Sequence, residues 1–414
     1  MKEDALAIES LPERLLPPDM ELLPHTYEIF ELELALAEIK TLRPAELVAR
    51  SAFLKRVNGD VTHHYEVCSA TPENTSSSIR TRSFFQKNRF GTGYGVHSLF
   101  PYRGKFHPQL IRGLLNLLDL KSGDVLLDPM CGSGTACVEA NALGIESLGV
   151  DMSPFCALMS AAKGAALRFT KNDVARLATL EGRAEQHATL ATEAVAIDLS
   201  RPLSEFSAKE RVGIVAGLAF LDGMGFARRK ADSDVDDCRR YVLRRYVATI
   251  LAFAAVRDRL RLRLGDSKFV AGDARHLDLP TASVDAVVTS PPYSFAIDYV
   301  DNDLPQLKFM GVDAAELKRG MVGLSGKTRE QKVEHYFAAM KQVLAEMARV
   351  LKPRKYSCVI VGSNEIQTGG IRLEHRITED AEKSGLHLAK TIIKPIEGIQ
   401  NSMTHEDILV FQKG

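Results

Sequence analysis

No Cys-x-x-Cys pair, no apolar run long enough to cross a bilayer and no excess charge of either sign occurs in these 414 residues. The six cysteines (Cys68, Cys131, Cys137, Cys156, Cys238 and Cys358) are scattered, and no signal-peptide pattern opens the chain. Reduced thiols in a cytoplasmic protein that has no membrane span and no metal site are therefore expected. Lys plus Arg and Asp plus Glu number 53 each, so net charge gives no support for a polyanionic partner, and any such support has to come from local clustering. Hydrophobic content of 45% and charge of 26% describe an ordinary globular chain, long enough for one large domain with insertions or for two or three smaller ones.

One absence is local. From Asn74 to Leu118 there is no Asp or Glu, while Arg80, Arg82, Lys87, Arg89, Arg103, Lys105 and Arg112 carry positive charge and Phe84, Phe85, Phe90, Tyr94, Phe100, Tyr102 and Phe106 are threaded among them. Cations for phosphates, aromatic faces for unstacked bases and no carboxylate to repel either are what a nucleic-acid groove needs. The other reading is a solvated basic loop whose aromatics pack on the core. Further along, Arg228, Arg229, Lys230, Arg239, Arg240, Arg244 and Arg245 stand close to Asp232, Asp234, Asp236 and Asp237. Mixed signs of this kind describe a solvated helix face, or alternatively an insert that sets Arg240 and Arg244 against phosphates.

What is present organises around two turns. Asp124 to Asp128 is a short apolar strand entering Pro129-Met130-Cys131-Gly132-Ser133-Gly134-Thr135, and a helix follows from Ala136 to Leu143. Strand, glycine turn and helix form the first unit of a Rossmann-like sheet, in which glycines let backbone approach a ligand. No Gly-Lys-Ser/Thr follows, which argues against a phosphate-binding P-loop; a nicotinamide site is the competing reading. The next strand, Ser147 to Val150, ends at Asp151, where a carboxylate can accept both hydroxyls of a ribose or cap the helix from Phe155 to Leu167. Phe269 to Asp273 closes a third strand, and Val284 to Val288 reads as a buried fourth that Pro291 and Pro292 stop abruptly. That stop leaves Ser290, Pro291, Pro292 and Tyr293 at the carboxyl end of a strand, where open α/β sheets place ligands.

The Thr289-Ser290-Pro291-Pro292-Tyr293 run resembles the catalytic motif of S-adenosylmethionine-dependent DNA amino-methyltransferases, and its serine resembles the cytosine-N4 type. Asp128-Pro129-Met130-Cys131-Gly132-Ser133-Gly134-Thr135 is similar to that family's cofactor signature, with Met130 in place of the usual phenylalanine. Lys105-Phe106-His107-Pro108 resembles its cofactor-flanking turn. The resemblance implies an α/β fold, a seven-stranded Rossmann-like class I methyltransferase sheet with an N-terminal extension and a helical insertion. It implies S-adenosylmethionine held by Phe106, His107, Pro108, Asp128, Pro129, Met130, Cys131, Gly132, Gly134, Thr135, Asp151, Met152, Asp273 and Ala274, with Asp273 accepting from the adenine amino group. Ser290 to Tyr293 carry the chemistry. Double-stranded DNA is the implied partner, a cognate restriction endonuclease a further one, and base flipping the means of access. A proline at position 292, where cytosine-C5 enzymes carry cysteine, excludes that reaction. Adenine-N6 methylation, guanine-N2-like methylation of tRNA or rRNA, and a nucleic-acid-binding protein without turnover are the alternatives. A faint likeness of residues 33–40 to the accessory domain of some tRNA guanine-N2 methyltransferases belongs with the RNA alternative.

The expected organisation is an accessory region at 1–73 that begins with a loosely packed arm, the basic aromatic segment and cofactor half at 74–170, a helical insertion at 171–264 and the catalytic half at 265–414. Ile297-Asp298-Tyr299 and Leu304 to Gly311 are expected as a lid or helix bordering the target pocket, His335 to Leu351 as a helix, Ser357 to Gly362 as a strand, and Leu386 to Lys394 with Asp407 to Gln412 as a terminal antiparallel hairpin.

Overall fold

The computed structural model describes residues 15–24, 26, 28–70, 93–102, 104–229, 234–292, 299–362, 370–396 and 404–414. Its N-terminal unit comprises β1 (Met20–Leu22), α1 (Ile29–Thr41), α2 (Pro44–Arg50), β2 (Leu54–Val57), β3 (Asp60–Val61) and α3 (His63–Ala70). There follow α4 (Pro108–Leu117), β4 (Val125–Asp128), α5 (Thr135–Ala142), β5 (Glu146–Asp151) and α6 (Pro154–Leu167). Next come α7 (Lys171–Thr179), α8 (Ala184–Val195), α9 (Ala208–Arg229) and α10 (Val235–Leu260), then β6 (Ser267–Ala271) and β7 (Val284–Thr289). The chain closes with α11 (Tyr299–Asn302), α12 (Leu304–Phe309), α13 (Ala314–Gly320), α14 (Arg329–Val350), β8 (Leu351–Val361), α15 (Leu373–Lys383), β9 (Leu386–Pro395) and β10 (His405–Lys413).

Seven strands form one sheet in the order β6-β5-β4-β7-β8-β10-β9, parallel from β6 to β8 and antiparallel through the terminal hairpin. This is the expected α/β fold with a mostly parallel seven-stranded sheet. Side chains alternate strictly between its faces, as strand geometry dictates. Leu126, Ala286, Val288, Cys358, Ile360, Ile408 and Val410 join a core that also holds α1 and α4, whereas Leu127, Val287, Val359, Val361, Leu409 and Phe411 pack against α14 and α15. Because both faces are covered, β7 is buried at every position, which is why its sequence reads as a nearly unbroken apolar run.

The chain lays down β4, β5 and β6 in one direction and then returns to place β7 on the other side of β4. At such a reversal the connections leaving β4 and β7 diverge and open a crevice at the carboxyl ends of the strands. The insertion at 171–264 is helical, as expected, and shares a core with α6 through Phe155, Phe169, Leu177, Ile214, Leu218, Val242 and Tyr246.

The N-terminal arm departs from expectation where it is described. Met20 to Leu22 is a strand paired antiparallel with β2, and Leu23 is buried with its amide on the Phe53 carbonyl at 2.8 Å. The partner strand lies more than thirty residues away, so no local pattern announces it. All six cysteines are buried free thiols. Among the described residues no helix is long and apolar enough to cross a membrane.

Candidate active site

A cleft opens at the carboxyl ends of four of the five parallel strands, around the reversal point. It is lined by Pro129, Met130 and Gly132 after β4, Asp151 and Met152 after β5, Asp273 and Ala274 after β6, and Ser290 and Pro292 after β7. The glycine turn and the proline corner, more than 150 residues apart in sequence, therefore share one cavity. Tyr293 and its neighbours through Asp298 fall outside the described residues, as do Arg80, Arg82, Lys87, Arg89 and Arg103.

The turn after β4 is built by backbone bonds. The Cys131 amide donates to the Val150 carbonyl at 2.9 Å and the Gly134 amide to the Cys131 carbonyl at 2.7 Å. Gly132 and Gly134 both adopt left-handed backbone, and a Cβ at Gly134 would stand 2.7 Å from Ser160. Only glycine meets that combination cheaply. The Ser160 hydroxyl closes the turn by donating to the Gly132 carbonyl at 3.1 Å. Asp128, Cys131, Gly134 and Thr135, expected to hold the cofactor, lie at the end of β4 and in its turn without lining the cleft.

Asp151 and Asp273 are the acids that line this cavity. Asp151 accepts from the Gly132 amide at 2.8 Å and the Ser153 amide at 2.9 Å, so it ties the glycine turn to the start of α6, and burial raises its pKa. Ser153, not Asp151, caps α6, accepting from the Cys156 amide. Burial pushes Asp128 up to about 8, with the Met130 amide and the Thr289 hydroxyl opposing only in part. Asp303, at the start of α12, is likewise pushed up to about 7 by burial, with a smaller contribution from Asp151. A cation placed in the cleft beside Asp151 would relieve its raised pKa. A cleft with the Asp151 carboxylate in its wall and backbone brought close by Gly132 fits a ligand that carries positive charge at a sulfonium and an ammonium.

Several expected contacts fall elsewhere. Asp273 lines the cleft, but both its oxygens accept from the Arg275 guanidinium, which also reaches the Gly320 carbonyl at 3.0 Å. Phe106, His107 and Pro108 do not line the cavity. Phe106 packs into the core beside α4, His107 precedes that helix and Pro108 opens it, while burial drives the His107 pKa down to about 3. Gly104 takes their place in the cleft wall, with left-handed backbone and the Tyr299 hydroxyl 2.8 Å from where a Cβ would lie.

Lys105, expected on a nucleic-acid face, is turned inward instead. Its ammonium donates to the His97 carbonyl at 2.9 Å, and burial lowers its pKa to about 8. Arg240 pairs with Asp236 and Asp237, and Arg244 with Glu181, so both guanidiniums already serve to fasten α10 internally and to the turn after α7.

Sequence reasoning did not single out Met321 or Val322, which line the cleft and belong to a segment without any motif signal. Tyr102, expected among the aromatics of a nucleic-acid groove, and Tyr299, expected to border the target pocket, stack with ring centroids 6.1 Å apart at 17° and form one wall of the cleft. Leu304 to Phe309 is a helix, one of the two forms expected there. A buried network fastens the segment leading into this wall. Glu139 accepts from Arg112 Nε, from the Tyr94 hydroxyl and at His97 Nε2, each at 2.8 Å. Burial alone would raise the Glu139 carboxyl, but Arg112 and His97 hold it well below the usual carboxylate range.

Comparison with known proteins adds two family-model matches. Residues 98–203 match a family described as RMKL-like, methyltransferase domain, and residues 284–414 match one described as DNA methylase. A "Type II methyltransferase M.MjaII" of Methanocaldococcus jannaschii is 44% identical over 68 residues, which is 16% of this chain and 13% of that protein. A "tRNA (guanine(10)-N2)-dimethyltransferase" of the same organism is 38% identical over 74 residues, 18% of this chain and 20% of that protein. The aligned stretches thus span a fifth or less of these relatives' lengths. The crystal structure of TrmN from Thermus thermophilus covers 75% of this chain and half of its own at 14% identity, with a TM-score of 0.33, too low to carry an argument. The two matches fall on the two halves of the sheet that meet at the cleft. With the relatives they support an amino-methyltransferase family, a methyltransferase enzyme and S-adenosylmethionine as its cofactor.

Proposed function

We propose that this chain transfers a methyl group from S-adenosylmethionine to an exocyclic amine of a nucleic-acid base, with cytosine N4 in double-stranded DNA as the target. The observation that carries this reading is the shared cleft: Gly132 and Asp151 on one wall, Ser290 and Pro292 on the other. When bound, the cofactor supplies an electrophilic methyl, so the protein's task is mainly to hold an amine in line with it.

An amine conjugated to an aromatic base is a weak nucleophile because its lone pair is delocalised into the ring. Ser290, half-buried at the end of β7, offers a hydroxyl oxygen, and Pro291, buried and without an amide hydrogen, leaves its carbonyl as an acceptor. Two acceptors on the two amine hydrogens pull nitrogen towards tetrahedral geometry and free the lone pair. A new N–C bond then forms as the C–S bond breaks, and the amine gives up one proton. Tyr293 is assigned to stacking on the base. Extracting the nucleotide from a duplex is the accompanying requirement, and the segment between Asn74 and Arg103 is the candidate surface for the distorted strand. A cognate restriction endonuclease is the second partner of this reading.

Serine supports cytosine over adenine, since the adenine-N6 enzymes that the motif resembles carry Asp or Asn before the two prolines. A second reading, guanine-N2 methylation of tRNA, draws support from the tRNA-modifying relative. Incubation with labelled S-adenosylmethionine and either duplex DNA or tRNA, followed by digestion to nucleosides, tests both. N4-methylcytosine is the expected product; label confined to tRNA would overturn the DNA assignment.

A further inference from the structure

Three cations expected to meet a polyanion are engaged inside the molecule: Lys105 is turned inward, and Arg240 and Arg244 are held by acids. A different run of positive charge borders the cleft. Between Glu316 and Glu330 there is no Asp or Glu, while Lys318, Arg319, Lys327 and Arg329 fall in that interval. A solvated face laces such charges with acids, and two of the four follow that rule: Lys318 meets Asp301 at 2.7 Å and Arg329 meets Glu330 at 3.5 Å. Arg319 and Lys327 do not. Both are exposed, and among the described residues no hydrogen bond or ion pair engages either side chain. Asp313, on the same helix as Arg319, is occupied in capping α13, where it accepts from the Ala315 amide at 2.8 Å and the Glu316 amide at 3.1 Å.

The loop that carries these two cations is fastened to both sides of the site. At its start Gly320 lies so close to Met152 that a Cβ would stand 2.9 Å from the sulfur, and its carbonyl accepts from Arg275 at 3.0 Å. Met321 and Val322 come next and line the cleft. Gly323, buried and with left-handed backbone, rests on the proline corner: a Cβ there would lie 3.9 Å from Pro292 Cβ. Ser325 then turns back, its hydroxyl donating to the Arg319 carbonyl at 3.0 Å, and Gly326, at a φ of 120°, abuts the backbone of Lys332. The Lys327 amide donates to Gln331 Oε1 at 3.0 Å. Backbone is thus fixed at Arg319 and at Lys327 while both charged ends stay free, and the loop between them touches Met152 on one side of the cleft and Pro292 on the other.

Building on the nucleic-acid reading above, we infer that the loop from Arg319 to Lys327 is a phosphate-binding edge of the cleft: Arg319 and Lys327 hold the backbone of the DNA strand whose base enters between Gly132 and Ser290. A guanidinium and an ammonium with no carboxylate to give up can take phosphate oxygens directly, the first in bidentate fashion and the second as a point charge. Contacts of this kind fix the register and orientation of a strand and carry no sequence information. The balanced charge of the whole chain supplies no general attraction to a polyanion, so two cations beside the cleft weigh heavily in its affinity.

The test is fluorescence anisotropy of the full chain with a labelled mixed-sequence DNA duplex and with labelled tRNA, between about 50 and 200 mM salt. Each phosphate neutralised steepens the fall of log affinity with log salt by about 0.9 on duplex DNA. Arg319→Gln and Lys327→Gln should each flatten the slope by about one, and the double variant by about two, with affinity lowered about tenfold or more. Calorimetry should return the parent's Kd for S-adenosylmethionine in all three, since neither side chain lines the cleft. Lys121→Gln removes an exposed cation just before β4, at the opposite end of that strand, and should keep the parent's slope and affinity. A double variant that binds duplex as the parent does overturns the inference, as does an equal loss in Lys121→Gln, which would make the effect one of overall charge. Binding of tRNA by the parent with none of duplex would overturn the DNA strand assigned to this edge. A parent that binds neither nucleic acid would remove the nucleic-acid reading and this inference with it.

Discussion

Glu38 shows how one side chain can join two units and still cost stability. Buried on α1, it accepts from the Ala52 amide at 3.0 Å and from Asn116 Nδ2 at 2.8 Å, so it ties the N-terminal unit to the end of α4. Burial nevertheless raises its pKa to about 7. Between its unfolded value near 4.5 and that point the folded state holds the extra proton, so this group's contribution weakens as pH rises. Replacement by Gln removes a penalty of about 3 kcal/mol above pH 7. Glu38→Gln should therefore melt at higher temperature than the parent at pH 8 and nearly match it at pH 5, as scanning calorimetry at the two pH values would report. In the cleft, Ser290→Ala should lower kcat by about tenfold or more with cofactor affinity kept, the pattern of a lost orienting contact. Asp151→Ala should instead weaken cofactor binding, because Asp151 holds the Gly132 amide as well as lining the cleft proposed for the cofactor. Single-turnover rates and equilibrium dialysis separate the two effects; unchanged turnover in Ser290→Ala would remove the role assigned to it.

At the scale of elements, the site is a product of strand ends and the turns that stop them. β4 stops where two glycines adopt left-handed backbone, and β7 stops where two prolines withhold amide hydrogens, so both strands deliver irregular backbone to the same place. α14 supports this from behind, packing Phe337, Met340, Leu344 and Met347 under β4 and β7. Its start is defined by a capping box in which the Thr328 hydroxyl accepts from the Gln331 amide at 3.3 Å and Gln331 Oε1 accepts from the Thr328 amide at 3.4 Å. Thr328→Ala should cost about 1 kcal/mol in urea unfolding and leave cofactor affinity unchanged. A matching loss of affinity would mean that α14 positions the cleft and does not merely support it.

Across the whole molecule the accessory region and the insertion share cores with the sheet and do not form separate bodies. Phe30, Leu34 and Phe53 from the N-terminal unit pack with Leu110, Ile111 and Leu114 of α4, all 7% exposed or less. Gln109 adds a bond to the Ala52 carbonyl and Arg50 bonds to Asn116. Each large side chain uncovered costs roughly 1.5–3 kcal/mol, against a total stability of about 5–15 kcal/mol. A chain beginning at residue 74 should accordingly be insoluble or molten, and the full chain should melt in one transition. A soluble, cooperatively folded truncation would show that the accessory region folds apart from the sheet.

Much of the fold was readable locally because strands and helices write their period into the chain. The five parallel strands, the helix of α14, the helical insertion and the terminal hairpin all follow from alternation, apolar runs and proline or glycine stops. The glycine turn and the proline corner were readable for a related reason: residues that force unusual backbone announce themselves by type. The strand β1, the inward turn of Lys105, the Arg275 hold on Asp273 and the stacking of Tyr102 on Tyr299 were not readable. Each depends on a partner distant in the chain, and burial, which sets the charge of an acid or the direction of a lysine, belongs to the assembled molecule. The sequence by itself determined which backbone could bend and where strands must stop; only the tertiary structure decided what those stops face, because strand order and the water excluded between layers are properties of packing and not of any segment.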